Sequence, residues 1–269
     1  MGRSGTRWLA EIFNLHDNII GSTEPEADAE FFYRYIKWNE LPIDVTGIFN
    51  IMALKILNDW EKADVSVIAS PPLSIDILEV FKKLDVDKII WGVNDARFTV
   101  NSFYNKGLYK DEVCILNHNL AVGLQPHLKQ EFDLLVGKGK TVKFNTYKRS
   151  FGRIIPHGEF LNKWKGLTQI GKISWLYNMY NQRIYKQLKE VKKNNLWIFK
   201  LEDADQNYDY YLKLSKKFNI LPVLDEDQFL SIKNQWDHGR ANKEHQWSSK
   251  ENKEFELYTK DFYNIYIKL

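Results

Sequence analysis

Gly2-Arg3-Ser4-Gly5-Thr6-Arg7-Trp8-Leu9 opens the chain with two glycines, two hydroxyls and two cations, and it runs straight into an amphipathic stretch. Trp8, Leu9, Ile12 and Phe13 recur at helical spacing, so a helix starts where the turn ends. A glycine-rich turn leading into a helix favours phosphate, because the first N–H groups lack partners and the helix dipole attracts an anion. Such a turn ordinarily follows a buried strand, and only Met1 precedes Gly2 in this sequence. Two expectations follow. Either the natural product begins about 5–10 residues upstream, on ordinary strand lengths, or the chain folds with its central strand missing and binds its ligand poorly.

Working outward, 269 residues with 44% hydrophobic content can bury a large core, and one α/β domain spanning residues 1–269 is expected. Lys and Arg number 38 against 35 acidic residues, a net charge of +3. That balance argues against nucleic-acid binding through a general field but allows a local basic pocket for a small polyanion. Cys114 is the single cysteine, so an intramolecular disulfide and a thiolate metal cluster are excluded. It sits in the apolar run EVCIL and reads as a buried structural thiol. No apolar run reaches the ~20 residues that span a bilayer, and a charged-then-apolar leader is absent. The expected location is a reducing one, the cytoplasm, with no membrane partner.

Short apolar runs alternate with helical patterns, the signature of βαβ units around a parallel sheet. NIIGST (Asn18–Thr23), VSVIAS (Val65–Ser70), KIIWGV (Lys88–Val93) and LWIFKL (Leu196–Leu201) read as strands. SIDILEVFKKL (Ser74–Leu84), ARFTVNSFYNK (Ala96–Lys106), a long stretch from Gly166 to Val191 and another near Tyr208–Phe218 read as helices. Ser248 and Glu251 have the spacing of a capping box for a terminal helix. NTYKRSFGRIIPHGEF (Asn145–Phe160) reads as an irregular basic loop, and no stretch reads as an interdomain linker.

The phosphate loop of ATP-binding proteins is G-x-x-x-x-G-K-[ST]. Here the turn is shorter, Arg3 stands on its entry side, and no Gly-Lys pair follows. A metal–nucleotide site is therefore not expected. The pattern suits an anion whose charge is met by side-chain cations.

GRSGTRWL (Gly2–Leu9) resembles the first signature of the sulfotransferases that use 3′-phosphoadenylyl sulfate (PAPS), P-[KR]-S-G-T-[TS]-[WL]-L, with Gly2 for proline and Arg7 for a hydroxyl residue. VNDARFTVNS (Val93–Ser102) is similar to their second signature, V-R-D-x-R-x-x-x-x-S, at Val93, Asp95, Arg97 and Ser102, and Asn94 replaces the arginine that grips the 3′-phosphate. LWIFKLEDA looks like the family's strand ending in Y-E-D-L. SWLYNMYNQRIYKQL resembles its W-x-x-x-N-x-x-I helix. LHDNIIGSTEPE points to the tyrosylprotein and carbohydrate branches, and the likeness covers most of residues 2–220.

The resemblance implies a three-layer P-loop-type fold, its central parallel sheet flanked by helices and its first strand truncated. It implies PAPS as co-substrate without a metal, and a small-molecule, carbohydrate or peptide acceptor. The N–H groups of Ser4, Gly5, Thr6 and Arg7, together with Trp8, would then cradle the 5′-phosphate. Arg3 would offset charge on the bridging oxygen as the sulfuryl group leaves. Asn94, Ser102 and Lys106 would attend the 3′-phosphate at the start of the helix, Ser102 and Lys106 being one turn apart and Lys106 replacing the charge that Asn94 lacks. Glu24 occupies the position of the carboxylate base, with Glu26 as competitor, and the bland reading of EPEADAE is a solvated acidic stretch.

Other positions stay open. Ser70 stands where another branch of the family has a histidine. His16 reads as structural, and His157 is the loop histidine nearest the basic region. Arg97 reads as a helix-surface ion pair or a phosphate ligand, and Arg240 and Lys243 as a closing loop or a solvated one. FFYRYIKW (Phe31–Trp38) reads as an acceptor-stacking surface or as the apolar face of a helix. The alternatives to a sulfotransferase are a P-loop small-molecule kinase and a catalytically weakened nucleotide-binding protein.

Overall fold

The computed structural model describes residues 5–110, 154–204, 207–236 and 245–269. Along the chain run α1 (Thr6–Phe13), β1 (Ile19–Thr23), α2 (Ala27–Trp38), α3 (Thr46–Trp60), β2 (Val65–Ala69), α4 (Ile77–Lys83), β3 (Ile89–Val93) and α5 (Ala96–Asn105). After the gap come α6 (Phe160–Lys165), α7 (Gln169–Leu188), β4 (Leu196–Lys200), α8 (Leu201–Ala204), α9 (Tyr208–Phe218), α10 (Glu226–Trp236) and α11 (Ser249–Tyr266). The protein is α/β, and its strands pair in parallel.

The expected strands and helices fall within a residue or two of these elements, apart from three. The helix expected over Ser74–Leu84 opens as a tight 3₁₀ turn, Leu73–Asp76, because Asp76 caps the helix proper by accepting the Glu79 N–H at 3.4 Å. The long helix is trimmed to Gln169–Leu188, its start set by Thr168, whose hydroxyl accepts the Gly171 N–H at 3.0 Å. The loop expected through Phe160 gives way there to α6. The capping box is present at α11, Ser248 and Glu251 each bonding the other's backbone N–H. Most of the basic loop, with Cys114, His118 and His127, and likewise His238, Arg240 and Lys243, lies outside the described residues.

The strands form two separate two-stranded sheets. β1 pairs with β2 from Ile19–Val65 to Thr23–Ala69, and β3 pairs with β4 from Ile89–Leu196 to Val93–Lys200. Both sheets divide their side chains between the same two cores. Ile19, Val67, Ile90, Trp197 and Phe199 pack with Leu9 and Phe13 of α1. Ile68, Ile89, Trp91, Val93 and Ile198 belong to the larger cluster, which holds Val100 of α5, Ile173 and Tyr177 of α7 and Phe262 of α11. α1 thus lies under both sheets at once.

Its seat on β1 is close. A Cβ on Gly21 would run into the Ala10 carbonyl oxygen, so only glycine lets the helix settle there. At the far end of α1, the Asn14 amide bonds both the carbonyl oxygen and the N–H of Gly21, at 2.8 and 2.6 Å. The opposite face carries longer helices. α7 and α11 cross there, and Gly171 leaves room for Glu254, which accepts the N–H and hydroxyl of Thr168.

Candidate functional site

The carboxyl ends of the strands lead into Glu24, Ser70, Asn94 and Leu201, and open α/β sheets hold ligands at that end. The Gly5 turn comes to the same end. Gly5 has φ +75°, and a Cβ there would lie 2.8 Å from Leu201 Cδ1 and 3.1 Å from the Phe199 ring, so the left-handed turn and the close approach both call for glycine. Thr6 is half-buried behind it and Arg7 is exposed. Arg3 and Ser4 lie outside the described residues. Trp8 turns inward, stacked on Phe199 at 5.7 Å and edge-on to Phe229 at 5.9 Å. Both ring neighbours are core side chains, so Trp8, itself half-buried, anchors the start of α1.

Glu24 follows β1 directly. Its N–H extends the ladder to the Ala69 carbonyl at 3.2 Å, and its φ is +47°, a conformation that costs a non-glycine residue about 1–3 kcal/mol. Burial pushes the Glu24 carboxyl above the usual carboxylate range, and the Arg34 and Lys106 cations pull the other way. Lys106 and Glu24, 82 positions apart in sequence by their numbering, are thus within electrostatic reach of one another.

Below them lies a carboxylate that no sequence pattern marks. Glu30 of α2 is fully buried at 0% exposure. It accepts the Ser70 hydroxyl and, at 3.0 Å, the Glu26 N–H. Burial raises its pKa, the Ser70 and Glu26 hydrogen bonds lower it, and the nearby Glu24 and Glu26 carboxyls raise it further. The Ser70 hydroxyl is spent on fixing Glu30. Glu26 contributes its backbone to the same turn. Tyr180 closes the floor, donating to the Pro71 carbonyl at 2.7 Å and receiving the Ser74 hydroxyl at 3.2 Å. It feels Arg34, Arg183 and Glu24.

No protein-family model, curated protein or solved structure matches the chain. The site therefore rests on its own geometry.

The other candidates divide between the ends of α5. Asn94 is buried at 5% exposure just before it, its backbone carbonyl accepting the Tyr177 hydroxyl at 2.6 Å. Asp95 caps the helix by accepting the Phe98 N–H at 2.9 Å, so a carboxylate already occupies the N-terminus expected to hold the 3′-phosphate. Ser102 is buried at 3% in the second turn, and Lys106 is the exposed C-cap. Asn94 and Lys106 are separated along the helix by about 18 Å at 1.5 Å per residue. Lys106 therefore stands at the opposite end of α5 from Asn94 and within electrostatic reach of Glu24.

Among the described residues Arg97 makes no ion pair. Its guanidinium lies 4.3 Å over the Trp247 ring and donates to Asn252 at 3.1 Å, fastening α11 to α5. His157 accompanies Trp38, whose carbonyl lies 3.3 Å from its Nε2. In FFYRYIKW, Tyr33, Tyr35, Ile36 and Trp38 are buried core of α2, which settles that stretch as a helix face. Arg34 lies over the Phe31 ring at 4.9 Å and within electrostatic reach of Glu24, which only the fold reveals. Among the described residues no group of His, Cys, Asp and Glu side chains could hold a metal ion, and no helix is long and apolar enough to cross a membrane.

Proposed function

We propose that the chain is a PAPS-dependent sulfotransferase on a three-layer P-loop-type fold, moving a sulfuryl group to a hydroxyl or amine acceptor by in-line displacement. One observation carries this reading. Glu24, named as base from its place after the Gly5 turn, sits in a constrained backbone conformation at the carboxyl end of the sheet, partly desolvated and within electrostatic reach of Arg34 on the next helix and of Lys106 from a distant segment.

In this reading the Gly5-Thr6-Arg7 turn receives the 5′-phosphate, where the first N–H groups of α1 and the helix dipole contribute up to about 2 kcal/mol. Arg3 neutralises charge developing on the bridging oxygen. Arginine is a poor proton donor, so its part is electrostatic. Glu24 accepts the acceptor's proton, and its raised pKa brings it nearer the operating pH, where a base is most effective. Lys106 and Arg34 supply positive charge along the transferred sulfuryl group or the nucleotide. Ser102 is the α5 residue for the 3′-phosphate, which the Asp95 carboxylate keeps away from the helix N-terminus. Like phosphoryl transfer, the step depends on positioning and electrostatics.

Calorimetric titration with 3′-phosphoadenosine 5′-phosphate tests the reading directly. Binding in the micromolar range is expected without added metal. Absence of heat at tens of micromolar ligand, or binding of ATP with magnesium in preference, would overturn it.

A further inference from the structure

Glu24 stands in a conformation that its own sequence opposes. Its φ of +47° lies where a side chain crowds the backbone, and Pro25 follows it. A proline ring presses the residue before it toward extended backbone, with φ about −120°. A non-glycine residue keeps so disfavoured a conformation only where its surroundings hold it from several sides.

A closed ring of hydrogen bonds and chain surrounds Glu24. Its own N–H donates to the Ala69 carbonyl at 3.2 Å, at the end of β2. Ser70 comes next and donates its hydroxyl to one carboxyl oxygen of Glu30. The other Glu30 oxygen receives the Glu26 N–H at 3.0 Å. Pro25 then leads back to Glu24. The Ser70 oxygen is itself held by the Leu73 N–H at 3.2 Å, which steadies the ring on the β2 side. On the other side α2 supplies the support, because the Glu30 N–H donates to the Glu26 carbonyl at 2.9 Å in its first turn. The Glu30 side chain thus reaches back to the N-cap residue of its own helix, much as the glutamate of a capping box does. A carboxyl that only capped α2 would need no bond across to the next strand. Glu30 has one, and at 0% exposure both of its oxygens are committed to turns that follow different strands.

We propose that Glu30 is a positioning residue for Glu24: its carboxyl clamps the turn after β1 to the turn after β2 and so holds Glu24 in its left-handed conformation. That Glu24 is a base rests on the sulfotransferase reading, whereas the clamp rests on the hydrogen bonds of the ring. The titratable and charged groups around the two carboxyls are Glu26 ahead of α2, Arg34 of α2, Lys106 at the end of α5 and Tyr180 of α7. Released from the clamp, Glu24 relaxes toward extended backbone, and its carboxyl leaves the burial that raises its pKa.

The test is carbon-13 NMR titration of the Glu24 carboxyl in the full chain, with amide exchange at Glu26 and no ligand present. In Glu30→Ala the Glu24 midpoint is expected to fall toward 4.5, and the Glu26 N–H to exchange at least about tenfold faster. Ser70→Ala opens the ring at another link with a smaller loss of volume. It is expected to move both readouts the same way, and it decides the matter if Glu30→Ala does not fold. Glu30→Gln is the rescue. Its amide oxygen accepts the Glu26 N–H and its NH2 group donates to the Ser70 oxygen, so both readouts should stay near those of the parent. A part in stability alone would leave the Glu24 midpoint where it is in every folded variant. That result, or a Glu30→Gln protein that titrates like the alanine variants, would overturn the proposal. Because the measurement involves no ligand, failure of the nucleotide titration would sink the sulfotransferase reading and leave the clamp standing.

Discussion

The Asn14 side chain pairs with Gly21 as a strand would, its Nδ2 2.8 Å from the Gly21 carbonyl and its Oδ1 2.6 Å from the Gly21 N–H. A helix-end amide thereby ends the sheet at β1, and the glycine it grips is the residue that allows α1 to lie against that strand.

Gly21→Ala places a methyl group against the Ala10 carbonyl, and α1 must lift from both sheets to relieve it. A loss of about 1–3 kcal/mol is expected in urea unfolding. Asn14→Ala strands two backbone groups at a partly solvated edge and is expected to cost about 1 kcal/mol. Gly47→Ala, where a Cβ meets nothing within 4 Å, is the control and should stabilise α3 by about 0.5–1 kcal/mol.

Under the sulfotransferase reading, Glu24→Gln keeps the shape of the site and removes the proposed base. Turnover is expected to fall about 10²–10⁴-fold, while the affinity for 3′-phosphoadenosine 5′-phosphate stays within about twofold. Burial raises the Glu24 pKa, so turnover of the parent protein should climb as pH rises through a value above 4.5. A pH–rate profile without that rise, or unchanged turnover in Glu24→Gln, would dismiss Glu24 from the chemistry.

Glu30 works against stability as pH rises. Its folded pKa lies above the unfolded 4.5, so the folded state holds the proton more tightly, and this contribution is lost as pH climbs from about 4.5 through the folded value. Glu30→Gln should flatten that part of the profile in urea midpoints taken from pH 4 to 8. Ser70→Ala removes the hydroxyl donor and is expected to raise the Glu30 pKa further, shifting the same slope to higher pH.

His16 has the opposite sense. It is buried, and burial depresses its pKa below 6.5. Tyr211 accepts the Leu224 N–H at 2.9 Å, leaving its own proton for His16 Nε2 at 3.2 Å, which fits a neutral imidazole. Stability from this pair is fully present above pH 6.5 and is lost as pH falls toward the folded value. Melting temperatures measured from pH 7.5 to 5 should drop in the parent and drop less in His16→Gln.

Much of the local structure was legible. Apolar period identified β2, β3 and β4 as continuous hydrophobic runs, and the capping residues Ser248 and Glu251 marked the start of α11, because these are interactions between residues a few positions apart. The partners of the candidate site were not. Nothing in ADAEFFYRYIKW says that Glu30 sinks beneath Ser70 while Arg34, one helical turn later, comes within electrostatic reach of Glu24. Arg97 is a similar case: its role came from Trp247 and Asn252, some 150 positions away.

By itself the sequence determined that the chain is α/β, that a glycine turn opens α1, and that a carboxylate stands after β1. These follow from backbone preference and hydrophobic period, which act over a few residues. Only the tertiary structure decided that Lys106 lies within electrostatic reach of Glu24, that Trp8 stacks on Phe199, and that Asn14 closes the outer edge of β1. The reason is physical: hydrogen bonds at a strand edge and charges in a half-buried pocket depend on which distant segments the folded chain brings together.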